Sequence, residues 1–247
     1  MDAVGRYNNC TDIRVCGVHK EGMMEEYFLH PCDQIYKIPD DLDFERAALV
    51  EPLAIGLHGA TRARVVKGEK VVVFGAGTIG LMASFACLSK GATPILVDIV
   101  QSRLDFAKKE LNFPYVFNSK TDGDLVEYLK KVTDGKLPEA MIDCTGSPFI
   151  ISQMHDYVCH GGRIALIGWP HDNVSVNQIR LMQKEIDVCP SRNSANQFPT
   201  AIKIIEDGVL PVKKLITKVI TVNEFKDTLV DIMNNPGNYL KVVLKIN

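Results

Sequence analysis

No run of apolar residues in the chain is long enough to span a bilayer, so no membrane-crossing helix is expected within it. The N-terminus lacks the basic, apolar and small-residue succession of a secretory signal. Charge of neither sign dominates: 28 Lys and Arg stand against 30 Asp and Glu, a net of −2. That balance gives no reason to expect nucleic acid or an anionic membrane as a partner. The seven cysteines are scattered and odd in number, which argues against a disulfide framework and for reduced thiols in a cytoplasmic protein. Internal repeats and low-complexity tracts are absent as well. What is left is an ordinary globular composition, 46% hydrophobic and 23% charged, over 247 residues that suit one large domain or two modest ones.

The most informative stretch begins at Lys70. Val71 to Phe74 is a continuous apolar, β-branched and aromatic run, the pattern of a strand buried on both faces. Gly75, Gly77 and Gly80 follow at GxGxxG spacing, then a run of good helix formers from Thr78 to Lys90, with Gly91 at the capping position. A second strand, Pro94 to Asp98, ends on a carboxylate. In such a unit the first glycine permits a tight turn, the second lets backbone approach a pyrophosphate, and the third lets helix pack on strand. Thr78, Ile79 and Gly80 would offer N–H groups and the positive end of a helix dipole to the phosphates. Asp98 lies about 20 residues on, where an acid accepts hydrogen bonds from a ribose diol. Its charge would repel a 2′-phosphate, so NAD is expected rather than NADP.

Strands and helices continue to alternate: strands at 115–117, 140–146 (ending in a polar turn), 163–167 and 185–189, helices at 124–132, 150–159 and 179–183. This spacing predicts an α/β protein, a doubly wound Rossmann sheet of six parallel strands with ligand at their carboxyl ends. Before the sheet, 13–18 and 27–29 read as short strands, and Asp43 reads as an N-cap three residues before Arg46. Pro52, inside an apolar helical pattern, implies a kink or a fresh helix start. Val174 and Val176 read as an edge strand, 198–208 and 223–234 as helices and 241–246 as a final strand. The other cysteines, Cys16, Cys32, Cys87, Cys144, Cys159 and Cys189, read as small apolar fillers.

An ordered series of short motifs then carries a resemblance. Gly5-Arg-Tyr-Asn-Asn-Cys10, Gly17-Val-His19, Glu26-Tyr27, Ile38-Pro39, Glu51-Pro52 and the glycine fingerprint together resemble a zinc-dependent medium-chain alcohol dehydrogenase. The branch they are most similar to is that of sorbitol and sugar-acid dehydrogenases, of the L-galactonate or L-idonate type. The resemblance implies 1–54 as the C-terminal part of a mainly β, GroES-like catalytic domain. It implies 55–190 as the NAD-binding domain and 191–247 as a return to the catalytic domain. It implies that Arg103 holds the adenosine end of NAD, although a solvated first-turn arginine fits the sequence as well. Thr145, Gly146 and Gly168 would lie against the cofactor, and Arg192 would bind a polyol or sugar-acid substrate or else form a hinge salt bridge. Glu51 would stand beside or on a catalytic zinc, and Cys10 would be the last of four cysteines around a structural zinc. The family's other zinc ligands find no match in this sequence, so the resemblance is to a member without the front of its catalytic domain.

Two functions follow as expectations. One is the NAD-linked, zinc-assisted oxidation of a secondary alcohol on a small polyol or sugar acid, by a homodimer or homotetramer. The other is an NAD-binding protein of the same family, truncated and non-catalytic, without the zinc site. A zinc-free quinone-reductase relative fits less well, because Cys10, Glu51-Pro52 and Asp98 all point elsewhere.

Overall fold

The computed structural model describes residues 5–246. Along the chain its helices and strands are α1 (Phe44–Ala47), α2 (Val50–Arg62), β1 (Lys70–Phe74), α3 (Thr78–Ser89) and β2 (Thr93–Asp98). Then come α4 (Gln101–Lys109), β3 (Tyr115–Asn118), α5 (Leu125–Val132), β4 (Ala140–Asp143) and α6 (Pro148–Gln153). The remainder is β5 (Arg163–Leu166), α7 (Gln178–Lys184), β6 (Asp187–Pro190), α8 (Phe198–Glu206), β7 (Ile216–Thr221), α9 (Phe225–Asn234) and β8 (Lys241–Lys245). These fall into two compact units, Pro52–Ser194 and the combination of Met1–Glu51 with Ala195–Asn247.

The first unit is a doubly wound α/β domain. Its six strands pair in the order β3-β2-β1-β4-β5-β6, every pair parallel. The central strands are apolar throughout because both their faces are covered: Val71 to Phe74, Ile95 to Val97 and Ala140 to Ile142 are all buried. Val72, Phe74, Ile95, Val97 and Met141 belong to one core cluster, completed by Ile150, Tyr157 and Ile164. Burying each such side chain contributes about 1.5–3 kcal/mol. Residues Gly80–Cys87 of α3 are buried without a polar face, as expected for a helix covered on both sides. Gly56 of α2 makes part of that cover, since a Cβ there would meet Met82 backbone carbon at 2.6 Å.

The second unit is smaller. Strands β7 and β8 pair in parallel, joined through α9 as a right-sized βαβ crossover, and α1 lies against α8. The N-cap expected at Asp43 is present: its Oδ1 accepts from the Arg46 N–H at 2.7 Å, and Oδ2 pairs with Arg46 Nε at 2.9 Å. That backbone hydrogen bond holds the Asp43 carboxyl below the usual carboxylate range. Asp43→Ala should therefore cost about 1 kcal/mol in urea unfolding at neutral pH. Because the folded pKa is depressed, the wild-type advantage should be full above the ordinary value of 3.8 and vanish as pH falls through the folded value.

Several expectations are corrected. Residues 13–18 and 27–29 form no strand; only a Cys16–Lys20 bridge is present. Tyr27 and Leu29 are 89% and 98% exposed, and a strand needs a partner ladder that these short runs do not find among the described residues. Val174 and Val176 lie in an irregular connection, where Val174 packs on the core cluster by its side chain alone. The helix expected over 150–159 instead begins at Pro148, a favoured first-turn position, and ends at Gln153. A 3-10 turn, Met154–Asp156, follows, and the carbonyls of His155 and Val158 turn away to the Lys184 ammonium. Of the cysteines, only Cys87 is a fully buried filler, its thiol pushed up to about 12 by burial; Cys32 is exposed. The tail held an unrecognised strand, β7, whose Ile-Thr-Lys-Val-Ile-Thr sequence has the β-branched content of one.

Candidate functional site

In a sheet ordered β3-β2-β1-β4-β5-β6 the winding reverses between β1 and β4, and the carboxyl ends of those two strands are where open sheets of this kind place a ligand crevice. The glycine turn leaves β1 at that point. Its three glycines are there for three separable reasons. Gly75 has φ +97°, a left-handed conformation that resists a side chain. Gly80 has an ordinary helical backbone, but a Cβ on it would stand 1.7 Å from the Gly75 carbonyl oxygen. Gly77 differs from both. Its φ of −78° and ψ of −176° suit any residue, and the nearest atom a Cβ would meet is Arg103 Nη1, at 4.0 Å. Neither backbone conformation nor packing within the chain calls for glycine there.

Gly77 is also the N-cap of α3, and it supplies no capping side chain. Thr78 and Ile79 follow half-buried in the first turn, so the N-terminus of a 12-residue helix opens on the crevice. With the Arg103 guanidinium beside it, this edge suits a phosphate or pyrophosphate. Arg103 is half-buried on α4.

Asp98 ends β2, next to β1. Its Oδ2 accepts from the Ala76 N–H at 2.5 Å, inside the glycine turn. Its Oδ1 accepts from the N–H groups of Ile99 and Val100, at 2.7 and 2.8 Å, which starts α4. The acid thus faces the same turn as the α3 N-terminus, where a ribose diol next to a pyrophosphate would meet it.

On the other side of β1, the ends of β4 and β5 form a second wall. Asp143 is fully buried, and its carboxylate accepts from the Thr145 hydroxyl at 2.6 Å, the Thr145 N–H at 3.0 Å and the Gly146 N–H at 3.1 Å. Burial raises its pKa, against which these hydrogen bonds act. Its main-chain carbonyl accepts from the N–H groups of Ile167 and Gly168, at 2.8 and 3.0 Å. Gly146 has φ +64°, and the two turns touch: a Cβ on Gly168 would lie 2.0 Å from Gly146 N. The glycine at each position is therefore demanded by the neighbouring loop. Asp143 was not singled out from the sequence, although Asp-x-Thr after an apolar strand is a local turn signature.

Arg192 follows β6 at the same carboxyl edge and is half-buried. Glu51 lies in the first turn of α2 and Cys10 just after a 3-10 turn, Tyr7–Asn9. Glu51 keeps an exposed surface, yet desolvation by its surroundings raises the carboxyl, with Lys241 drawing it partly back. Zinc requires three or four ligands, and no group of three His, Cys, Asp or Glu comes together among the described residues. Neither Glu51 nor Cys10 thus has such a group around it among the described residues. No helix of the described residues is long and apolar enough to cross a membrane.

Comparison with known proteins bears on this arrangement. The zinc-binding dehydrogenase family model matches residues 78–207. An uncharacterized zinc-type alcohol dehydrogenase-like protein of Haemophilus influenzae is 35% identical over 240 residues, covering 97% of this chain and 70% of that protein. The sorbitol dehydrogenase of Bombyx mori is 32% identical, covering 98% and 70%. Among solved structures, an alcohol dehydrogenase of Escherichia coli CFT073 in complex with NADH superposes with a TM-score of 0.91 at 27% identity, covering 99% of this chain and 72% of that one. A family model matched over more than half of the residues, with a relative of this identity aligned along nearly the whole chain, places the protein among the zinc-binding dehydrogenases.

Proposed function

We propose that this chain binds NAD across the carboxyl ends of β1, β2 and β4, and that residues 5–246 do so without completing a zinc centre for alcohol oxidation. The observation that carries the reading is Gly77, a glycine that the protein's own backbone and packing do not require, set at the uncapped N-terminus of α3. A side chain there would project where a pyrophosphate must approach. The Escherichia coli relative solved with NADH supports the cofactor class. Asp98 supports NAD over NADP, because a carboxylate facing the ribose opposes a 2′-phosphate. Pyrophosphate would lie on Gly77, Thr78, Ile79 and Gly80, the adenosine end toward Asp98 and Arg103, and the nicotinamide toward Thr145, Gly146 and Gly168.

NADH fluorescence titration of the purified chain tests this. NADH should bind, and NADPH should bind about a hundredfold more weakly, the scale of an uncompensated like-charge contact. No NADH binding, or equal affinity for the two, would overturn the assignment. Metal analysis of the same preparation should find no stoichiometric zinc, and sorbitol with NAD should give no turnover.

The second reading, oxidation of a polyol or sugar acid, is favoured by the sorbitol dehydrogenase relative and by Arg192 at the carboxyl edge, where a guanidinium can grip hydroxyls or a carboxylate. Turnover with bound zinc would establish it in place of the first.

A further inference from the structure

Asp143 is a carboxylate without any exposed surface, at the switch point itself: it stands opposite Phe74 in the β1–β4 register. Its two oxygens take three hydrogen bonds, all from the turn that follows β4, while its main-chain oxygen holds the turn that follows β5. Thr145 passes the constraint on, since its Oγ1 accepts from the Ser147 N–H at 3.0 Å. One residue therefore fixes both loops that form the crevice wall on the side away from Asp98. A dinucleotide laid across the switch point, with its adenosine at β2, sends its other half to that wall.

We propose that Asp143 is the positioning residue for the nicotinamide half of the cofactor, acting through Thr145, Gly146 and Gly168 and not by touching the ligand. The inference rests on the cofactor reading above. It separates the two halves of the site: Asp98 and Arg103 serve the adenosine end, and Asp143 serves the reactive end. The aspartate meets the demand by accepting at both oxygens. Asparagine has one acceptor oxygen and one donor nitrogen, so in either orientation at least one turn N–H would face an NH2 group. That turn would then re-form in another geometry, with Gly168 following because it is packed against Gly146.

The test compares NADH with ADP-ribose, which lacks only the nicotinamide, on wild-type protein and Asp143→Asn. NADH affinity should fall about tenfold, the loss expected for one or two mismatched buried hydrogen bonds. ADP-ribose affinity should stay within about twofold, since its contacts lie across β1. The fluorescence of bound NADH should shift toward that of free NADH. Equal losses for both ligands, or no change in either, would overturn the proposal. Should Asp143→Asn fail to fold, Thr145→Val decides: Thr145 is exposed, and the substitution exchanges its hydroxyl for a methyl, cutting the bond to Asp143 and the one accepted from the Ser147 N–H. It should reproduce the selective loss at a smaller size, about threefold, and an unselective effect would overturn the proposal. A wild-type chain that binds neither ligand would overturn the cofactor reading first. Binding of ADP-ribose with NADH no tighter would overturn the inference alone.

Discussion

Gly80→Ala should be among the most damaging single changes in the protein, lowering stability by about 3 kcal/mol and the melting temperature by about 6–12 °C. The added Cβ would lie 1.7 Å from the Gly75 carbonyl oxygen, and relief requires α3 to move away from the turn. The helix has no room to do so. Its residues Gly80–Cys87 are buried, and Gly56 of α2 already sits against the backbone at Met82 and Ala83. NADH binding should fall with stability, because the turn proposed to receive the pyrophosphate is the part displaced. Gly77→Ala is the informative companion. It meets no atom closer than 4.0 Å, so its melting temperature should barely change while NADH affinity drops. Differential scanning fluorimetry beside NADH titration measures both. A Gly80→Ala protein with wild-type melting and affinity would mean that the turn is not packed as described.

Lys184→Met should cost about 2–4 kcal/mol, because it strands two buried carbonyls at once. Lys184 is 6% exposed, and its ammonium donates to the His155 and Val158 carbonyls at 2.7 and 2.6 Å. Those carbonyls belong to the connection between α6 and β5, while Lys184 ends α7, so the contact ties two crossovers on one face of the sheet. Methionine nearly matches the stem in size but offers no donor. Burial pushes the ammonium below the ordinary lysine value of 10.5, with Asp156 pulling partly against it. The unfolded chain thus holds that proton more tightly, and the stability linked to Lys184 rises as pH climbs from the folded value toward 10.5. The gap between wild type and Lys184→Met in urea unfolding should widen over that alkaline window. A gap under about 0.5 kcal/mol at neutral pH would show that water replaces the ammonium.

These two residues mark where sequence reading succeeds and where it stops. Gly80, its turn and the central strands were legible because their signals are local and periodic: apolar runs, glycine spacing, a helix pattern and a terminal acid. Lys184 was not, since a lysine at the end of an amphipathic helix reads as solvated, and only the fold brings two distant carbonyls to it. Asp143 failed to stand out for a similar reason: its partners are two and three residues away, but its burial depends on β1 and β5. The strand-like runs at 13–18 and 27–29 show the converse. Local β propensity was read correctly and still gave no strand, because pairing is a non-local condition. Strand β7 was overlooked for the same cause, its partner β8 lying beyond an intervening helix.

Asp98 constrains how the protein can change over generations. The carboxylate proposed to meet the ribose is also the acceptor for the Ala76 N–H and for the two N–H groups that begin α4. On the proposed reading, discriminating between cofactors and shaping the glycine turn are thus duties of one side chain. A mutation that trades the acid for a small or basic residue, the simplest step toward a phosphate-bearing cofactor, also unties the turn and the adjoining helix start. A lineage seeking that switch would first have to acquire a compensating acceptor for these N–H groups elsewhere in the loop. A cofactor preference set by Asp98 would be held in place by architecture as well as by selection on the ligand.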